Sequence, residues 1–296
     1  MLSIRNLAKT YPGGVRALRG VSLDIQPGMF GLLGPNGAGK STLMKVLATL
    51  LDPDQGTATL DGKDLIGDKD ATRRIVGYLP QEFGVYPKMS ALDLLEHLAV
   101  MKGITARGER KEVVEGLLQQ TNLWEARKRP LGGFSGGMKQ RFGIAQALLG
   151  NPKLIIVDEP TAGLDPAERN RFLNLLSGIG QGAVILLSTH IVDDVRELCS
   201  SMAIIASGEV LLQGSPDEAI AALAGKIWRK SVASDAERET LEKAQHVIST
   251  HLVAGKQQLR VVADAAPEGF TAAEADLEDV YFTRLTAAQR AQAQAA

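Results

Sequence analysis

The chain has 296 residues, of which 45% are hydrophobic and 23% charged, and its formal net charge is -1. This composition allows a sizeable buried core, and the near-neutral charge argues against the strong positive excess of a typical nucleic-acid binder. The 1 cysteine, Cys199, excludes an internal disulfide and a cysteine-based metal cluster within one chain. No apolar run approaches the ~20 residues of a spanning helix, and residues 1–6 lack the apolar core of a signal peptide. We therefore expect that a partner holds the chain at any membrane where it works.

The first part of the chain predicts short strands around a glycine-rich loop. Apolar and polar residues alternate at Ser3–Leu7 and at Val21–Ile25, which is typical of half-buried strands. The apolar run Met29–Leu33 leads directly into the loop, and helical spacing follows over Ser41–Leu51. This is a strand–loop–helix unit.

Further along, the periodicity predicts an α/β domain that carries a helical insert. Apolar residues recur at helical spacing between residues 88 and 131. Strands and helices then alternate, which indicates a mostly parallel sheet covered on both faces. The expected strands are Leu154–Val157, Ala183–Ser188 and Met202–Ala206, and the expected helices are Pro166–Gly178 and Ile191–Ser200.

We expect the main domain to cover residues 1–215, with a helical subdomain at residues 88–150. Residues 216–296 then form a small α+β extension. Its predicted strands are Lys226–Val232 and Leu259–Ala263, and its predicted helix is Ala236–His246. The final residues, Thr286–Ala296, are rich in Ala and Gln and are expected to fray.

The glycine-rich loop fits the phosphate-loop pattern G-x-x-x-x-G-K-[ST]. Triphosphate binding needs several backbone N–H groups aimed at one point, which a glycine-rich loop before a helix provides. We expect Lys40 to contact the β- and γ-phosphates, Ser41 to bind Mg²⁺, and Thr42 to lie near the α-phosphate. The predicted nucleotide-binding loop consists of Gly34, Pro35, Asn36, Gly37, Ala38, Gly39, Lys40, Ser41 and Thr42.

A second acidic element follows a buried strand. Asp158 comes directly after Leu154–Val157, at the edge of the sheet where ligands bind in open α/β folds. We expect Asp158 to hold Mg²⁺ through water and Glu159 to polarise the attacking water. An ordinary strand that ends in a solvated acidic turn is the alternative, and the phosphate loop argues against it.

The stretch Phe134–Arg141, which reads FSGGMKQR, is similar to the LSGGQ-x-Q-R signature of ABC (ATP-binding cassette) transporter ATPases. The resemblance covers roughly residues 1–220. It implies a P-loop cassette of a mixed sheet core, an antiparallel β subdomain and a helical subdomain, with ATP and Mg²⁺ as cofactors. The other residues that match the family's motifs are Tyr11 for stacking on adenine, Gln81 in the Q-loop as a magnesium ligand, Asp165 in the D-loop segment Ala162–Asp165, and the switch residue His190.

The resemblance also implies a paired site. Ser135, Gly136 and Gly137 would act on the ATP held by a second subunit, most simply a second copy of this chain, in a head-to-tail dimer. Glu159 is the family's catalytic carboxylate, and His190 and Lys40 would stabilise the γ-phosphate. The signature departs from the family at Phe134, where Leu is usual, and at Met138, where Gln is usual. Only a secondary contact is put in doubt by Met138.

The implied role is an ATPase at the cytoplasmic face of the cell membrane, bound to a separate permease that handles a small-molecule or polymer cargo. The candidate permease contacts are Phe83, Val85, Tyr86, Pro87 and Met89, with loop packing as the equal alternative. The stretch Leu277–Phe282 resembles the ending of drug and polysaccharide exporters, and its alternative is an amphipathic helix that covers the core of the extension. No nucleic-acid partner is expected. A soluble cassette ATPase of a ribosome or nucleic-acid assembly, and a subunit that only binds nucleotide, remain as alternatives.

Overall fold

The computed structural model describes residues 1–161, 164–179, 182–253 and 255–295. The first part of the chain forms six strands and two helices, in the order β1 (Leu2–Thr10), β2 (Arg16–Ile25), β3 (Gly28–Leu33), α1 (Lys40–Leu47), β4 (Gln55–Leu60), β5 (Lys63–Asp64), α2 (Lys69–Ile75) and β6 (Val76–Leu79). The predicted strands here are confirmed. The predicted helix 41–51 is shorter, since Thr49 adopts a positive φ of 61° that ends it.

Three helices follow, and strands then alternate with helices. The elements are α3 (Ala91–Met101), α4 (Arg107–Gln120), α5 (Gly136–Ala147), β7 (Leu154–Asp158), α6 (Pro166–Ile179), β8 (Val184–Thr189), α7 (Val192–Leu198), β9 (Ser201–Ala206) and β10 (Glu209–Gly214). Helices α3 to α5 lie within the predicted helical subdomain and have a core of their own, which includes Leu95, Val114 and Phe142.

The central sheet has the order β10-β9-β3-β8-β7-β6. Strand β3 runs parallel to β8 and β9, and β7 runs parallel to β6 and β8. Every residue of β7 and β8 is buried, as expected of parallel strands covered on both faces. Alternate side chains of β3 therefore enter two different cores: Phe30 and Leu32 lie in one, and Met29 and Leu33 in the other.

A second, antiparallel sheet has the order β2-β1-β4-β5 and covers one face of the central sheet. Its inward residues, such as Ile4 and Leu23, share a core with Leu43 of α1. The phosphate loop therefore emerges between two sheets, with α1 packed beneath it.

The rest of the chain consists of α8 (Pro216–Ala221), β11 (Ile227–Val232), α9 (Asp235–Ala244), β12 (Val247–Val253), β13 (Lys256–Val262), β14 (Thr271–Ala272) and α10 (Leu277–Ala295). Its strands form a separate sheet of order β12-β13-β11-β14. This matches the predicted α+β extension, with β13 beginning three residues before the predicted strand because Lys256–Gln258 continue its pairing with β12.

Helix α10 extends nearly to the end of the chain. It continues as far as Ala295, and Ala296 lies outside the described residues, so the expected fraying of residues 286–296 stays a prediction. The start of the helix is fixed by burial, because Leu277, Val280 and Tyr281 enter the same core as Ile185 and Val195. The stretch Leu277–Phe282 therefore begins a packing helix, but its buried residues enter the core of the main domain and not a core of the extension alone. No helix in the described parts of the chain has the length and apolar character needed to cross a bilayer.

Candidate nucleotide site

The phosphate loop links the end of β3 to the start of α1 and depends on its glycines. A Cβ on Gly34 would lie 2.3 Å from the backbone oxygen of Ile205, so no larger residue fits there without a shift of the main chain. Gly39 has a φ of 105°, and its Cβ would lie 2.4 Å from the backbone oxygen of Ala17. These contacts fix the loop over the amino end of α1, where N–H groups and the helix dipole favour an anion.

Lys40 lies in this loop with only 5% of its surface exposed. Its Nζ donates to the carbonyls of Gly34, at 2.6 Å, and Pro35, at 3.2 Å, and lies 3.6 Å from Oε1 of Glu159. Burial lowers the pKa of Lys40, and the nearby Glu159 carboxylate opposes that shift. Phosphate oxygens would supply negative charge where this buried ammonium has little compensation.

A cavity of about 700 Å³ opens over the loop, within the size range of small-ligand sites. The hydroxyl of Tyr11 lies 3.2 Å from that of Thr42, which fixes the phenol beside the loop. The cavity is lined by all of the predicted loop residues except Gly34, together with Tyr11, Gln81 and Glu159, and also by Gly14, Val15, Arg16, Ala17, Arg19 and Ser207. The two arginines, which belong to β2, were not predicted.

The acidic pair lies at the carboxyl end of β7. Asp158 is 3% exposed, and the hydroxyl of Ser188 donates to its Oδ1 at 2.7 Å. Glu159 is 9% exposed and has a φ of 47°, an unusual conformation for a residue other than glycine. Its N–H donates to the carbonyl of Ser188 at 3.0 Å, which holds it against β8. Ser188 was missed in the sequence, where only its place at the polar end of an apolar strand marks it.

Three of the predicted site residues meet at the carboxylate of Glu159. Lys40 lies 3.6 Å from it, Nε2 of Gln81 donates to Oε2 at 3.4 Å, and Nδ1 of His190 is 3.2 Å from Oε2. His190 keeps half of its side chain exposed. The strand ends and the Q-loop thus bring a base, a cation and two polar side chains to one point.

The residues present fit a magnesium ion in their chemistry. Ser41, Gln81 and Asp158 offer hydroxyl, amide and carboxylate oxygens, which are the hard ligands that Mg²⁺ prefers. Within the described residues, no group of three or more His, Cys, Asp or Glu side chains could hold a metal. A magnesium ion here would therefore rely on oxygens of the nucleotide and on water as well.

The signature residues do not line this cavity. Ser135 caps α5 by accepting a hydrogen bond from the N–H of Met138 at 3.2 Å, and Gly136 and Gly137 form the first turn. Asp165 caps α6 through the N–H of Glu168 at 2.9 Å. Ala162 and Gly163 of the predicted D-loop lie outside the described residues.

Comparison with known proteins decides the family. The ABC transporter family model matches residues 18–162. The chain is also 34% identical over 271 residues to the daunorubicin/doxorubicin resistance ATP-binding protein DrrA of Streptomyces peucetius, covering 90% of this chain and 82% of that protein. The chain belongs to the ABC transporter ATP-binding proteins. The predicted resemblance and the α/β cassette fold are confirmed.

Other relatives of this ABC protein differ in their named roles. It is 36% identical over 277 residues to the methionine import ATP-binding protein MetN of Bordetella pertussis, with 90% of this chain and 74% of that protein covered. It is 34% identical over 274 residues to the probable multidrug ABC transporter ATP-binding protein YbhF of Escherichia coli, and this match spans 90% of the chain but only 47% of YbhF.

A solved structure gives the same assignment. The dimeric post-hydrolysis state of the ATP-binding cassette MJ0796, bound to ADP and Pi, matches with a TM-score of 0.66 and 28% identity, covering 73% of this chain and 98% of that one. The fold is thus shared along almost the whole of the compared cassette, and the match leaves about a quarter of this chain uncovered.

Proposed function

We propose that the chain is an ATP-hydrolysing subunit that energises transport through a separate membrane permease, from the cytoplasmic face of the membrane. The observation that carries the proposal is the convergence of Lys40, Gln81 and His190 on the carboxylate of Glu159, beside the phosphate loop. Binding alone would need the loop, whereas hydrolysis also needs a carboxylate placed to orient water.

Hydrolysis by this arrangement needs no covalent intermediate. The loop N–H groups and Lys40 hold the phosphates, Glu159 orients the attacking water, and His190 contacts the γ-phosphate. Magnesium held by Ser41, Gln81 and Asp158 would neutralise charge on the phosphate oxygens. Because Glu159 is only 9% exposed, its interaction with water and with Lys40 takes place with little screening by solvent.

The site is completed, in this proposal, by a second copy of the chain. Ser135, Gly136 and Gly137 lie at the amino end of α5, where the helix dipole favours an anion, and they do not line the cavity of their own subunit. A head-to-tail dimer would place this anion site against the γ-phosphate of the partner's ATP. The dimeric, ADP- and Pi-bound state of MJ0796 supports this pairing by relationship.

The test is the Glu159→Gln variant. It keeps the size of the side chain but removes the charge that orients water, so we expect an ATP-bound dimer that hydrolyses too slowly to reopen. Size-exclusion chromatography with light scattering, with and without MgATP, measures it. A matched control is Glu159→Gln combined with Lys40→Ala, which we expect to stay monomeric because ATP binding is lost. A Glu159→Gln chain that binds ATP and remains monomeric would refute the paired site.

For the permease contact we propose the surface beside the Q-loop. Of the five candidate residues, Phe83, Val85 and Met89 pack on the core of the helical subdomain, whereas Tyr86 is 66% exposed. A neighbouring groove of about 500 Å³ is edged by Leu98 and by Met101, which is 73% exposed. We expect Tyr86→Asp combined with Met101→Asp to abolish co-purification with a membrane protein and to leave basal ATPase activity intact. Recovery of ribosomes or nucleic acid in its place would contradict the transport role.

The direction of transport is proposed to be export. The relatives include both a drug-resistance protein and a methionine importer. Both matches cover 90% of this chain, so the proposal of export rests on the exporter-like stretch Leu277–Phe282. Resistance of cells that express the chain with its permease, set against uptake of labelled solutes, would distinguish the two directions. Cargo is handled by the permease in either case.

A further inference from the structure

Asp194 is a fully buried carboxylate that the nucleotide cavity does not contain. It lies in the first turn of α7 and has 0% of its surface exposed. Its Oδ1 accepts from Nε of Arg169 at 2.7 Å, and its Oδ2 accepts from the hydroxyls of Thr161, at 2.7 Å, and Thr189, at 3.4 Å. A buried charge persists only when it is paired and hydrogen-bonded in this way.

The three donors come from the three segments that carry proposed site residues. Thr161 lies two residues after Glu159, and Thr189 directly precedes His190. Arg169 lies in the first turn of α6, where its N–H donates to the carbonyl of Asp165 at 2.9 Å. One carboxylate thus links the end of β7, the end of β8 and the start of α6.

The hydrogen bonds to Asp194 restrain Glu159 and His190, which lie close to Thr161 and Thr189 in the sequence. Glu159 has a φ of 47°, and a residue in that conformation needs support from its surroundings. The Thr161 hydrogen bond fixes the chain just beyond it. The hydroxyl of Thr189 also accepts from the N–H of Ile191 at 2.9 Å, so the backbone is held on both sides of His190. The Glu159–His190 distance of 3.2 Å is therefore set by two segments that share one anchor.

We propose that Asp194 is a positioning residue for ATP hydrolysis, which sets Glu159 and His190 relative to each other through Thr161 and Thr189 and ties both to the Asp165 segment through Arg169. The inference rests on the ATPase function proposed above. Asp194 touches no part of the nucleotide cavity, so its removal should lower kcat and leave the affinity for ATP nearly unchanged.

The first test is Asp194→Asn, with kcat and KM measured on the full chain and with binding of a fluorescent ATP analogue. A misplacement of about 1 Å costs about 100-fold in rate, so we expect kcat to fall between about 10- and 100-fold while the dissociation constant changes less than about 3-fold. The matched control is Asp279→Asn. Asp279 is also buried, at 1% exposed, and is paired with Arg260 at 2.7 Å, but it lies in α10 outside the site. It should lose stability without a change in kcat.

Asp194→Asn leaves Arg169 unpaired and can impair folding, so Thr161→Val is the second test. The change keeps the shape of the side chain and removes only the bond to Asp194; we expect kcat to fall at least about 10-fold. Thr121→Val is its control, since Thr121 is equally buried, with 0% exposed, and donates to the carbonyl of Leu117 at 2.7 Å in the helical subdomain.

The outcomes separate the two proposals. If the wild-type chain hydrolyses no ATP, the proposed function fails. If the wild-type chain hydrolyses ATP and Thr161→Val turns over at the wild-type kcat, the positioning role of Asp194 is overturned. A fall in kcat equal to that of Thr121→Val would overturn it as well, because both variants would then report only a loss of stability.

Discussion

Ser188→Ala tests whether Asp158 holds magnesium. The Ser188 hydroxyl donates to Oδ1 of Asp158 at 2.7 Å, and the two residues are 0% and 3% exposed. A hydrogen bond to a charged group contributes about 1.5–3 kcal/mol, so its loss should lower the free energy of unfolding by about that amount. Residues that orient a metal ligand typically change metal affinity by about 10–100-fold. We therefore expect the Mg²⁺ concentration for half-maximal ATPase activity to rise by about that factor.

The assay is ATPase rate against Mg²⁺ at fixed, saturating ATP, together with urea unfolding of the same preparation. Thr72→Val is the control. Thr72 is 1% exposed, and its hydroxyl donates to the carbonyl of Leu65 at 3.0 Å, far from the acidic pair. It should lose about 1 kcal/mol of stability and keep the wild-type Mg²⁺ dependence. A Ser188→Ala chain that loses stability but keeps the wild-type Mg²⁺ dependence would show that Asp158 is structural and not a metal ligand.

Three further predictions follow from burial and backbone contacts. Gly34→Ala should weaken binding of a fluorescent ATP analogue at least about 100-fold, because its Cβ would lie 2.3 Å from a backbone oxygen, whereas Gly108→Ala, with open space around it, should not. Burial, and secondly the charge of Asp194, raises the pKa of Cys199 to about 12, so a thiol reagent at pH 8 should label it only after unfolding, and rapid labelling of the native chain would contradict this. Above pH 9 the unfolded thiol loses a proton that the folded chain keeps. The free energy of unfolding should therefore fall by about 1.4 kcal/mol per pH unit from about pH 9 to 12. Removal of residues 277–296 takes Leu277 and Val280 out of the core and should lower the free energy of unfolding in urea by about 3–6 kcal/mol.

The sequence predicts those parts of the site that consist of short, local motifs. The loop at 34–41 needs glycines at fixed spacing, and the acidic pair follows an apolar strand, so each is visible within about ten residues. The structure brings both to the carboxyl edge of one sheet, as the α/β pattern predicts. Glu159 and His190 lie 31 residues apart in sequence and meet at 3.2 Å, because β7 and β8 are neighbours.

The sequence does not reveal contacts between segments that are far apart in the chain. The bond from Ser188 to Asp158 spans 30 residues, and that from Thr161 to Asp194 spans 33. A serine at the end of a strand and an aspartate in the first turn of a helix are ordinary local choices, so no pattern marks them. The course of α10 was missed for the same reason: Leu277 and Val280 share a core with residues far earlier in the chain, such as Ile185 and Val195.

The contacts of Lys40 predict how bound nucleotide would act on Glu159, the proposed catalytic carboxylate. Without phosphates, the ammonium lies 3.6 Å from the carboxylate and each partly compensates the burial of the other. Burial dominates, because the pKa of Lys40 is lowered despite that contact. Phosphate oxygens at the loop would offer Lys40 a second charged partner, and we expect this to leave the Glu159 carboxylate free to accept a proton from water. We therefore expect the positive charge of Lys40 to couple the phosphate loop to Glu159, and bound nucleotide to be needed for hydrolysis because it neutralises that charge.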